Sequence, residues 1–75
     1  MKVTTYYFTA KLSYAECEDL YRDQIKFIVV TEVGGKRIQL PKHNMQRFIT
    51  PQGIKGSFEM IVDHKHKILS IKQLS

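Results

Sequence analysis

The chain is poor in the residues that usually announce a class. It has no tryptophan, one cysteine, two prolines and four glycines among 75 residues, and seven acidic side chains against twelve lysines and arginines. A lone Cys17 excludes the disulfide framework by which small exported domains compensate for thin cores, and it points to a cytoplasmic setting. The longest uninterrupted apolar run, Phe27 to Val30, falls far short of the roughly 20 residues that a membrane helix needs. The start, Met-Lys-Val-Thr-Thr-Tyr-Tyr, alternates and is hydroxyl-rich, unlike the basic head and long apolar stretch of a signal peptide. Neither a membrane partner nor export is therefore expected. Internal repeats, linkers and low-complexity tracts are also missing.

What is present belongs to a folded chain, with 43% hydrophobic and 25% charged residues. A chain this short forms one domain, residues 1–75, and buries only about 60% of its unfolded surface, so its core must be small and closely patterned. Charge is uneven. Up to Asp23, three basic residues stand against four acidic ones, a net of −1; from Gln24 onward nine stand against three, a net of +6. A basic C-terminal two-thirds attracts polyanions such as nucleic acid, or acidic protein surfaces. The plainer reading is a soluble surface that happens to be basic.

Val3 to Leu12 alternates, with Tyr6, Phe8, Ala10 and Leu12 on one side and Val3, Thr5, Tyr7, Thr9 and Lys11 on the other, as a half-buried strand does. Ser13-Tyr14-Ala15-Glu16 has the capping-box form, so a helix begins at Tyr14. Tyr14, Cys17, Leu20 and Tyr21 recur at helical spacing along one stripe, and the helix is expected to end near Arg22 or Asp23. In Ile25 to Val33 both alternating sets are mostly apolar, which predicts a central strand covered on both faces. Gly34-Gly35 reads as a two-residue hairpin loop. Lys36 to Leu40 returns with Ile38 and Leu40 inward, and Pro41 stops the strand.

The stretch from Leu40 to Val62 organises the chain, because it holds both prolines and two of the four glycines. Asn44 is placed to cap a helical turn that aligns Met45, Phe48 and Ile49. Thr50-Pro51-Gln52-Gly53 fits a type I turn. Gly56 indicates a bulge or a close backbone contact in the fourth strand, whose Phe58, Met60 and Val62 face the core. Asp63 to His66 turns, and Lys67 to Leu74 forms a fifth strand. Its inward set is either Ile68 and Leu74 or Leu69 and Ile71.

The chemical candidates are few. His64 and His66, beside Asp63, stand at the i and i+2 spacing that metal ligands use on a strand, but no companion pair completes a tetrahedral site. Cys17 lies on the apolar stripe, where a thiol packs rather than attacks. Glu16, Glu18 and Asp19 are explained by capping and the helix dipole. Neither glycine pair opens a helix, so neither is a phosphate loop. Lys55-Gly56 followed by Phe58 is partly similar to the RNA-recognition signature, but Ser57 and Met60 replace its aromatics. No catalytic centre and no cofactor are expected.

The order of elements, with Arg47-Phe48-Ile49-Thr50, then Gly53-Ile54-Lys55-Gly56-Ser57-Phe58 and a closing Leu69-Ser70-Ile71-Lys72-Gln73-Leu74, resembles a family of small bacterial proteins catalogued only as a domain of unknown function. The resemblance covers nearly the whole chain. It implies a bacterial, intracellular protein of this size and carries no activity to any residue.

The expected fold is α+β in the order β-α-β-β-(short helical turn)-β-β. It is a mostly antiparallel five-stranded sheet or a partly open small barrel, with one amphipathic helix. The expected function is a noncatalytic module binding nucleic acid through its phosphates. Its site is a rim formed by Lys36, Arg37, Lys42, His43, Arg47 and Lys55, with Tyr7 as a stacking face. The alternative is a protein-interaction or self-assembling module, such as a homodimer, that uses an exposed strand edge or apolar patch.

Overall fold

A computed structural model describes residues 2–75. Among these residues the fold is α+β, with five strands in antiparallel sheets and short helices, and no closed barrel. The strands are β1 (Val3–Leu12), β2 (Phe27–Thr31), β3 (Arg37–Pro41), β4 (Ile54–Asp63) and β5 (Ile68–Gln73). The helices are α1 (Tyr14–Glu18), continued by a 3-10 turn over Asp19–Tyr21, and α2 (His43–Gln46).

The expected single sheet is divided. β1, β4 and β5 form a three-stranded sheet in the order β1-β4-β5, while β2 and β3 form a separate hairpin. The two parts meet where Phe8 bridges Glu32 and the Val33 amide donates to the Tyr7 carbonyl at 2.8 Å. Beyond that bridge β1 and β2 part. The β1–β4 ladder is unbroken from Val3 opposite Asp63 to Leu12 opposite Ile54. This places Phe8 on Phe58 and Tyr6 on Met60, so the alternation of β1 becomes one buried and one wet face.

Ser13 and Glu16 make both bonds of the capping box, at 3.2 and 3.0 Å. They turn the chain out of β1 into α1 and press Cys17 and Leu20 into the core at 1% and 4% exposure. Tyr14 and Tyr21, expected on the same stripe, are exposed instead. Tightening to 3-10 geometry brings the helix to its end at Tyr21, and three residues per turn rotates that side chain off the buried line.

β2 is not central. Val30 is buried and Ile28 half-buried, but Phe27, Val29 and Val33 stand open on the outer side, because no element lies over the hairpin's second face among the described residues. The loop is three residues long rather than two. Glu32 and Lys36 close it at 2.9 Å around Val33, Gly34 and Gly35, and Gly35 supplies the left-handed position at φ +95°.

α2 begins without Asn44 as its cap. The Lys42 amide is taken by the Lys26 carbonyl at 3.1 Å, so the hairpin sets the helix entry and Asn44 falls inside it. Met45 is fully buried and Phe48 and Ile49 pack beside it as expected. Gly56 marks a close approach and not a bulge, since the ladder with β1 runs through it and a Cβ there would lie 2.2 Å from the Ser75 carbonyl oxygen. The bulge sits in β5. Ile61 pairs with Ser70 and Val62 with Ile68, leaving Leu69 unmatched, so Ile68 and Ile71 both turn to the core.

Candidate functional site

The six basic residues expected to share one rim, and Tyr7 expected beside them as a stacking face, fall into separate places. Lys36, just before β3, and Arg37, its first residue, line a groove of about 300 Å³ between β3 and the β4–β5 turn. The Lys36 ammonium donates to the Tyr6 hydroxyl at 3.2 Å and lies 5.3 Å from the centre of the Tyr6 ring. Lys42 instead donates to the Arg22 carbonyl at 2.7 Å, closing the end of the 3-10 turn. Arg47 donates to the Ile71 carbonyl on the outer edge of β5, with its guanidinium over the Phe48 ring at 4.8 Å. With Gln46, which donates to the Leu20 carbonyl at 2.8 Å, these two side chains lace α2 to its neighbours. His43 is exposed beside them.

Lys55 is on the outer face of the three-stranded sheet, directly opposite Lys11. Tyr7 shares that face and is open to solvent, but its cross-strand neighbour is Glu59, itself 3.6 Å from Lys72. The structure therefore brings together Lys36 and Arg37, and separately Lys55 with Lys11.

The groove also has residues that the sequence reading had not assigned to binding. His66 and Gln39 line it together with Lys36 and Arg37. His66 belongs to the turn Asp63-His64-Lys65-His66-Lys67, where all four basic side chains are exposed. Lys2 stands at the same end, next to Val3, which pairs with Asp63. A run of four basic types in five residues was the available signal. His64 and His66 are not paired strand positions, because both lie in the turn and His66 has φ +65°. Among the described residues no group of three or more His, Cys, Asp or Glu comes together.

Both acids at this end are occupied by main-chain amides. Asp63 accepts from Lys65 and Lys67 at 2.8 and 2.9 Å, and Glu32 accepts from Lys36 at 2.9 Å. The Lys67 amide holds the Asp63 carboxyl below its ordinary 3.8, and the Lys36 amide holds Glu32 below 4.5. The Ser13 amide does the same for Glu16. Each group is easier to ionise folded than unfolded, so its contribution to stability is complete above the ordinary values and is lost as pH falls through the lower folded ones. The urea midpoint is expected to stay flat from pH 7 to about 5 and then to fall, with a shallower fall in Asp63→Asn. A parallel fall in the variant would show that the turn is not involved.

Cys17 is buried, and desolvation pushes its thiol up from 9.0, against a smaller lowering by the Ile54 amide. It packs as a small hydrophobe.

A second concavity, about 480 Å³, opens where β1 and β2 part, with Leu20 and Met45 in its lining and Glu16 and Asp19 on its helical side. No helix among the described residues is long and apolar enough to cross a membrane. The family described as "Protein of unknown function (DUF2835)" matches residues 4–74. No curated protein and no solved structure matches the chain.

Proposed function

The chain belongs to this family of unknown function, and we propose that it is a noncatalytic module that holds nucleic acid by its phosphates at the end carrying the two hairpin turns. One observation supports the reading above the others: two turns distant in sequence place Lys36, Arg37 and His66 around one groove. Lys65 and Lys67 flank His66 on the exposed turn, and the two local carboxylates accept hydrogen bonds from backbone amides and form no ion pair with a lysine among the described residues. Exposed lysine and arginine positioned in this way bind a phosphate backbone without reading its bases. The reading moves the site away from Lys42 and Arg47, whose charges serve the fold.

The test is anisotropy of a labelled RNA and a labelled DNA oligonucleotide across salt. Binding is expected at low salt, with the logarithm of affinity falling linearly against the logarithm of salt. Each of Arg37→Glu, Lys65→Glu and Lys67→Glu is expected to lower the slope by roughly 0.7 to 0.9. Lys55→Glu, on the outer face, serves as the control. An absence of binding at low salt ends the proposal, and equal losses from Lys55→Glu remove the assigned location.

A further inference from the structure

The parting of β1 and β2 has a definite register. From the bridge between Phe8 and Glu32, an antiparallel ladder would continue by setting Ala10 opposite Val30 and Lys11 opposite Val29, yet no ladder forms there among the described residues. The same residues line the two walls of the 480 Å³ cleft. Because the Tyr7 carbonyl and the Val33 amide meet across this edge, strand alternation turns the main-chain groups of Lys11 and Val29 toward the cleft. Their side chains are exposed, while Ala10 and Leu12 on one wall and Ile28 and Val30 on the other turn inward.

A cleft with strand edges for walls and an apolar floor is chemically suited to one kind of occupant. An extended chain can satisfy free amides and carbonyls along its length while its alternate side chains pack against the half-buried Ala10, Leu12 and Ile28, under which Leu20 and Met45 lie. The small side chain of Ala10 leaves room for them. Glu16 and Asp19 on the helical side stand against Lys11 alone, so the lining is net acidic in a chain that is otherwise basic. Asp19 also holds Arg22 at 3.2 Å, and Glu16 accepts from the Ser13 amide through Oε1 at 3.0 Å, so its second oxygen is the one left to face an incoming cation.

We propose that the cleft between β1 and β2 receives an extended segment of a partner protein, alternating apolar with basic residues. The segment pairs antiparallel with β2 through the main chain of Val29. This site is distinct from the basic groove, and either stands without the other. Acidic polymers, including nucleic acid, are disfavoured here by Glu16 and Asp19.

The probe is a displayed library of random dodecapeptides selected on the immobilised full chain. Enriched peptides are expected to alternate apolar residues with lysine or arginine, and to shift the amide resonances of Lys11 and Val29. Val29→Pro removes the amide facing the cleft while leaving the β3 side of the strand intact, and it is expected to weaken binding by roughly tenfold or more. Val29→Thr retains the amide and is expected to bind within about twofold, since it removes no main-chain donor. Should Val29→Pro fold poorly, the same loss is read from peptides N-methylated at alternate positions. The proposal is overturned by a library that enriches no alternating basic peptide, or by binding that survives both Val29→Pro and N-methylation. It is equally overturned if light scattering shows the chain associating with itself through this edge, in a manner that Val29→Pro abolishes.

Discussion

Replacing Gly53 with alanine is expected to remove about half of the chain's stability. Gly53 closes the Thr50-to-Gly53 turn with φ +94°, donating to the Thr50 carbonyl at 2.8 Å and accepting from the Thr50 amide at 2.9 Å. A Cβ on it would lie 2.0 Å from the Leu12 carbonyl oxygen, 2.8 Å from the carbonyl carbon of Ser13 and 2.9 Å from the Tyr14 nitrogen. All three are main-chain atoms at the junction of β1 and α1, so no flexible side chain can give way. Left-handed strain costs about 1 to 3 kcal/mol and overpacking a similar amount again. A chain of this length has a total stability of roughly 4 to 11 kcal/mol. Gly35→Ala is the contrast, because φ is +95° there but nothing lies within 4 Å of the new Cβ. It is expected to cost about 1 kcal/mol. Urea titration followed by circular dichroism separates the two; equal costs would mean that the turn does not press on the β1–α1 junction.

The second large effect is expected from Phe58→Ala. Phe58 is fully buried on β4, the strand flanked by β1 and β5. Its ring stacks on Phe8 with centroids 5.4 Å apart and meets the edge of Phe48 at 5.0 Å. Removing it empties the contact between the sheet and the segment that follows α2. A loss of about 3 to 5 kcal/mol is expected, a large share of the whole. Phe58→Leu keeps most of the volume and is expected to cost under about 1.5 kcal/mol. Phe48→Ala, at a half-buried position, serves as the reference. If Phe58→Ala cost no more than Phe48→Ala, the stacked pair would not be the centre of the core.

Where the sequence was legible, one face of an element was apolar and the other polar. β1 and β4 read correctly for that reason, as did the capping box, which is a local device. β2 misled because periodicity records that Phe27 and Val29 are apolar, and cannot record whether anything lies over them. β5 was undecidable because the unmatched Leu69 shifts the alternation, and no two-residue period contains both Ile68 and Ile71. The entry to α2 was set by Lys26, sixteen positions before Lys42, which no local rule at Asn44 can anticipate. The basic rim failed in part for a similar reason. Lys42 and Arg47 look like free charges in the chain, but the Arg22 carbonyl at the end of the 3-10 turn and the Ile71 carbonyl on the edge of β5 claim them through tertiary contacts. The turn from Asp63 to Lys67 reads as an exposed polar turn without a complete metal site, and the density of basic side chains within it is the signal that the histidine spacing obscures.

The ladder between β1 and β4 joins residues 3–12 to residues 54–63, so β1, once made, waits for a strand that is synthesised much later. Closing so long a loop must precede the burial that rewards it, a sequence of events that slows collapse and prolongs exposure of a sticky intermediate. The hairpin of β2 and β3, closed locally around Gly35, is the part able to form early and to give the later strands a surface on which to gather.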